Sequence, residues 1–256
     1  MSLTHFQNLQ AADIDGVIAS LDKIIEWAKA NHSRMGYFAA LYRKVTVKVK
    51  EGIVAGVFDD GARMERLDVI FANRYLEAFE QYHAAGKLTR CWTLAFDTSK
   101  RWRPLVLQHL MVGMNAHIEL DLGIAAAETA RGKGLDSLKG DFFKINQILG
   151  SLVNGVQDEL ARVWPGLKLL DRFAGKADEG LANFGMKITR GRAWQVAETL
   201  APLSQADRTA VIETLDAEVT KVGGVLLFQG YFFSLVMLLI RLTEKRSVRK
   251  IIEILQ

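Results

Sequence analysis

The sequence predicts an all-α protein, an irregular multi-helix bundle with a central apolar helix, and three observations carry that prediction. Apolar residues recur three and four positions apart through most of the chain. Only three prolines, Pro104, Pro165 and Pro202, interrupt stretches rich in helix formers. Only one run, Val45-Thr46-Val47-Lys48-Val49, alternates as a strand does, and a lone strand has no partner to bond with.

The elements follow in order. Ile14, Val17, Ile18, Leu21, Ile24, Ile25 and Ala28 give an amphipathic first helix ending near Asn31. From Met35 to about Phe58, Tyr42, Val45, Val49 and Ile53 fit one helical face, so the alternating run is assigned to a helix too. Asp59-Asp60-Gly61 then supplies a break and a capping carboxylate for a helix whose stripe is Met64, Leu67, Phe71, Tyr75 and Phe79, ending near Gly86.

A polar linker containing Trp92 and Trp102 leads to a helix from about Pro104 to about Ala130, and glycines punctuate a loop from Gly132 to Gly140. Ile145, Ile148, Leu149, Leu152 and Val156 mark the next helix, up to Trp164-Pro165. A shorter segment continues to about Phe173, and further helices cover Trp194 to Leu200 and the stretch after Ser204, which has capping-box spacing to Asp207.

Residues 222–240 are the most apolar stretch and are just long enough to span a bilayer. Gly223, Gly224, Gln229, Gly230 and Ser234 dilute them, and a bundle of amphipathic helices needs an apolar centre, so a buried central helix is favoured over a membrane span.

Composition narrows the function classes. With 256 residues, 50% of them hydrophobic and 24% charged, the chain reads as one helical domain, 1–256, able to fold unaided. Cys91 is the only cysteine, which rules out an internal disulfide and suits a reducing compartment. Met-Ser-Leu-Thr-His-Phe has no basic patch followed by an apolar core, so no secretory signal is read and a cytoplasmic location is expected. The net charge of +4 is spread among interleaved acids and bases, so no nucleic-acid partner is expected.

Chemistry concentrates where polar residues interrupt apolar faces. In Gly113-Met114-Asn115-Ala116-His117-Ile118-Glu119-Leu120-Asp121-Leu122, His117 and Asp121 lie one turn apart, and Gly113 one turn earlier allows another element to approach. Asp68 falls within the stripe of Leu67 and Phe71, and Asp141 shares the face of Ile145 and Ile148. An unpartnered carboxylate is expensive to bury, so each is expected to be neutralised, paired or metal-bound.

One reading makes Asp68, His117, Asp121 and Asp141 a metal site. With one histidine among carboxylates, Mn, Fe, Zn or Mg each fit as the divalent ion, whose bound water would attack an ester or phosphoester. The plainer reading is a polar network in which these acids pair with Arg74, Lys144, Asn115 or tyrosine hydroxyls and fix helix register. A competing class is a non-catalytic protein that binds a lipid or other small apolar molecule, with Trp92, Trp102 and the central apolar helix lining the pocket. Arg90-Cys91-Trp92 and Lys100-Arg101-Trp102-Arg103 bring cations and indoles together, which suits a membrane surface or ligand stacking, though snorkelling arginines account for most such pairs. No glycine-rich phosphate loop, paired Cys-x-x-Cys or nucleophile elbow is present.

Phe71-Ala72-Asn73-Arg74-Tyr75-Leu76, Trp92-x-x-Ala95-Phe96 and the segment from Gly113 to Leu122 together resemble an uncharacterised bacterial protein family of unknown function. That resemblance implies a compact helical protein and lends no activity. His117-x-x-x-Asp121 alone is similar to one element of the all-helical zinc-dependent phospholipase C group. That group uses several more histidines and a second His-x-x-x-Glu pair, which this chain lacks, so no trinuclear zinc site is expected.

Overall fold

The computed structural model describes residue 6 and residues 8–164, 166, 177–228 and 231–256, with the side chains of 153–154, 177–188 and 231–233 left aside. These residues form eleven α-helices and no strand. In chain order they are α1 (Ile14–Ala30), α2 (Met35–Val54), α3 (Gly61–His83), α4 (Arg90–Ser99), α5 (Val106–Ala116), α6 (Leu122–Thr129), α7 (Lys139–Val163), α8 (Ala177–Leu200), α9 (Gln205–Leu227), α10 (Tyr231–Thr243) and α11 (Val248–Leu255). A π-helical turn, His117–Asp121, joins α5 to α6 without a break. The expected segment up to Phe173 lies outside the described residues.

The strand-like run is helical, because Thr46 and Val49 take the buried positions three apart while Lys48 faces solvent. The Thr46 hydroxyl donates to the Tyr42 carbonyl one turn back, at 3.0 Å, and is thereby satisfied inside the core. Asp13 caps α1 through the Gly16 amide, and Asp60 caps α3 through the Arg63 amide, as the carboxylate before Gly61 foretells. A Cβ on Gly36 would stand 2.6 Å from both Ala28 and Ile252. The missing side chain therefore lets α1, α2 and α11 meet.

The helix at the centre is not 222–240. It is the continuous rod from Val106 to Thr129, against which α2, α3, α4, α7, α8 and α9 all pack. Small residues explain its place: Gly113, Ala116, Gly123, Ala125, Ala126 and Ala127 are all buried and let neighbours close in from every side. Residues 222–240 divide instead between the end of α9 and α10, with Phe228 in extended conformation after α9. Their large side chains face outward in part, Val225 at 63%, Leu235 at 57% and Leu239 at 58% exposure. Hydropathy had measured how apolar that stretch is, not which helices surround it. Among the described residues no helix is long and apolar enough to cross a membrane.

Two helices escaped the sequence reading. In α4, Thr89 gives no side-chain cap, and the Arg90 and Cys91 amides donate instead to Asp216, at 2.7 and 2.9 Å. Here the cap is remote in sequence, so the stretch resembles a linker until its tertiary partner is known. In α11, Ile251, Ile252 and Leu255 are buried against α1, α2 and α7. The start of α5 also depends on a remote acid, for the Val106 amide donates to Glu244, itself paired with Arg241 at 3.0 Å.

Gly123 tests the packing of the central rod, since a Cβ there would lie 2.5 Å from Val196 and 2.7 Å from the Ala193 carbonyl oxygen. Gly123→Ala should cost about 1–3 kcal/mol in urea denaturation through overpacking. Gly191, within α8, has open space around it and supplies the control. Gly191→Ala should gain about 0.5–1 kcal/mol from helix propensity. Equal effects of the two substitutions would contradict this packing.

Candidate functional site

Asp121, 1% exposed, lies at the meeting of three helices. Arg74 of α3 donates from Nε to Oδ1 at 2.7 Å, and Trp92 of α4 donates from Nε1 to Oδ2 at 2.7 Å. Burial by itself pushes this carboxyl up, but Arg74, His117 and Trp92 together hold it below the usual carboxylate range. The expected pairing of Asp121 with Arg74 is thus present, and it sets the register of α3 and α4 on the central rod.

His117 sits at the other end of the π turn. The Leu122 amide reaches back five residues to the His117 carbonyl, the widened ladder that defines the turn. Its Nδ1 stands 3.6 Å from Asp121 Oδ2, within electrostatic reach but beyond a hydrogen bond. Neither ring nitrogen has a hydrogen-bond partner. The ring stacks on Phe71 at 3.6 Å between centroids and takes the Tyr42 ring edge-on at 4.4 Å. Burial holds its pKa below the ordinary histidine value even though Asp121 pulls the other way, so the imidazole is neutral at neutral pH.

Asp68 is buried on α3, with Oδ2 unpartnered. Desolvation, with a smaller push from Glu65, raises its carboxyl to about 7. Asp141 occupies a different place. Its two oxygens accept the Asp59 and Asp60 amides, each at 2.8 Å, and Lys144 stands 3.1 Å away. Burial opposes ionisation there, but those amides and Lys144 hold the carboxyl below its ordinary value. Asp141 therefore fastens the chain entering α3 rather than capping its own helix.

The structure does not gather Asp68, His117, Asp121 and Asp141 around one point, and among the described residues no group of three or more His, Cys, Asp or Glu side chains is placed to hold a metal ion. Physical demands on the donors explain the dispersal. Asp121 is engaged by Arg74 and Trp92, and Asp141 by two amides and a lysine. Asn115, another expected partner, donates instead to the Val219 carbonyl at 2.9 Å. Cys91 is buried, and desolvation drives its thiol far above the usual range, which leaves it inert.

Two of the four residues do share a site. Asp68 and His117 line a cavity of about 370 Å³ whose other walls are the apolar side chains of α2, α3, α5 and α7, among them Leu67, Leu110, Met114, Leu149 and Leu152. Tyr42 lines it as well, with its hydroxyl unpartnered and, through burial and the nearby Asp68 and Asp121, held in its protonated form. Arg190 of α8 also lines this cavity. Sequence periodicity marked Phe71 and Tyr42 as core positions but gave no sign that an unfilled volume lay beside them.

A second cavity, about 460 Å³, opens on the other side of the ion pair, where Arg74, Trp92 and Asp121 share the wall with Lys87, Glu213 and Asp216. Trp92 thus lines this second cavity, Trp102 is half exposed, and none of the described residues of 222–240 lines the apolar one.

Asp68 makes a pH test available. Its folded-state carboxyl keeps a proton that the unfolded chain releases, so its contribution to stability declines as pH rises from about 4 towards about 7 and is level above that. Asp68→Asn should abolish this decline and exceed the wild type at pH 8 by up to about 4 kcal/mol. Parallel stability profiles for the two proteins, by urea denaturation between pH 4 and pH 8, would show that Asp68 is not so desolvated.

No curated protein and no solved structure matches the chain. A family model described as "Family of unknown function (DUF5995)" matches residues 14–229, a span that takes in α1 through α9 and with them every residue of the ion pair and both cavities. The chain belongs to that family of unknown function.

Proposed function

We propose that the protein binds an apolar small molecule or lipid in the cavity beside His117, and that Asp68, His117 and Tyr42 meet a polar group of that ligand. The observation that carries this reading is the coincidence of an apolar chamber of about 370 Å³ with three buried side chains on its wall that have unpartnered polar atoms. The volume falls in the range of about 300–1,000 Å³ common to small-molecule sites. Each buried polar group left unsatisfied costs about 1–3 kcal/mol, and a ligand that completes these hydrogen bonds accounts for their retention.

The three groups suit a hydroxyl or carbonyl. Tyr42 and a protonated Asp68 donate, while the neutral His117 ring donates from one nitrogen and accepts at the other. None of this uses a metal ion. The alternative, a metal-dependent hydrolase for an ester or phosphoester, relies on four converging ligands, whereas Asp121 bonds to Arg74 and Asp141 to the Asp59 and Asp60 amides.

A neutral apolar dye, Nile red, can stand in for the natural ligand. The protein should bind it saturably at one site with a rise in fluorescence. Met114→Trp, which fills the chamber from the α5 wall, should abolish that rise, whereas Leu235→Ser on the exposed face of α10 should not. Equal binding by the wild type and folded Met114→Trp protein would overturn the assignment of the chamber.

A further inference from the structure

Arg190 is a buried cation with no carboxylate to balance it among the described residues. It is 4% exposed and lines the apolar cavity. One nitrogen, Nη2, donates to the Phe142 carbonyl at 2.5 Å, and the guanidinium lies over the Phe142 ring at 4.4 Å. Its Nε has no partner, and among the described residues no acid forms an ion pair with it. Two acids of the described residues that might serve are already engaged. Asp141, next to Phe142 in the chain, is held by two amides and Lys144, and Glu119 of the π turn pairs with Arg192 at 3.3 Å.

Burying an unpaired charge is costly enough that proteins normally provide a counter-ion. Desolvation lowers the pKa of Arg190 to about 9, which still leaves it cationic at neutral pH. Cation–π contact with Phe142 and one carbonyl bond offset part of the cost but do not neutralise the charge.

We infer that the ligand of this cavity is a single-chain amphiphile with an anionic carboxylate, and that Arg190 supplies its counter-charge. The inference rests on the apolar-ligand reading above and adds the charge of the ligand to it. Several features converge on this class. The walls are overwhelmingly apolar, which suits an alkyl chain, and among the described residues on them the one guanidinium, which has no acid paired with it, matches one negative charge. Asp68 does not fill the role, since it makes no ion pair with Arg190 and its raised pKa traces to burial and Glu65. Arg190 is then a binding residue, and no covalent step is assigned to it.

The experiment compares a fluorescent fatty acid, parinaric acid, with its methyl ester, which keeps the chain and removes the charge. The wild type should bind the acid at least tenfold more tightly than the ester. Arg190→Met should erase that preference by weakening the acid tenfold or more, while binding of the ester and of Nile red persists. Arg190→Lys should restore part of the preference. Because Arg190→Met removes an unpaired buried charge, it should melt no lower than the unliganded wild type, and added acid should raise the melting temperature of the wild type alone. Equal affinity of the wild type for acid and ester would overturn the anionic ligand yet leave the apolar chamber standing. Failure of all three probes to bind the wild type would overturn the chamber itself. Should Arg190→Met not fold, the comparison of acid with ester in the wild type still decides the question.

Discussion

Everything around the cavities depends on the buried carboxylate of Asp121 and on how its charge is answered. A negative charge at the centre of a helical bundle is tolerable only when donors are fixed around it, and here Arg74 and the Trp92 indole come from two different helices to do so. That requirement ties α3 and α4 to the central rod at one relative rotation. It also separates the two cavities, with the charged groups facing one and His117 facing the other. His117 stands 3.6 Å from the same carboxylate, and among the described residues its ring nitrogens have no hydrogen-bond partner. One buried ion pair thus borders the imidazole from which the proposed ligand site is built.

Much of the helical order was legible because it is local. The stripes of α1 and α3 mark residues that are buried, and the carboxylates at 68, 121 and 141 lie inside, as their places on apolar faces imply. Helical arithmetic reports the rotation of a side chain about its own axis. It does not report which other axis runs alongside. For this reason the four candidate ligands could be recognised as buried but not as dispersed, and α4 was unreadable while its cap lay at residue 216. The two readings of Asp121 turned on the same distinction: Arg74, named among its expected partners, is the one it has.

The central helix was misplaced for a related reason. Summed hydropathy favours long aliphatic side chains, yet the middle of a bundle with many neighbours favours small ones, because backbones must approach from several directions. Ala125, Ala126 and Ala127 carry less apolar surface than Leu235 and Leu239 and are nonetheless the buried set. Cavities are further still from any local pattern, since a void is what the side chains of four or five helices leave unfilled. Arg190 is the extreme case. Nothing about it in sequence separates it from the arginines at the surface.

The carboxylates that finish helix starts from a distance bear on the order in which the protein can take shape. Asp141 receives the amides entering α3 from 82 and 81 residues away, Asp216 those of α4 from 126 and 125, and Glu244 that of α5 from 138. A ribosome delivers the amino-terminal half first. As that half emerges, the starts of α3, α4 and α5 have donors exposed and their acceptors not yet made. Until residues 141, 216 and 244 have been made, those amides have only water to bond with, so the starts of these three helices are completed by the fold and not by their own sequence.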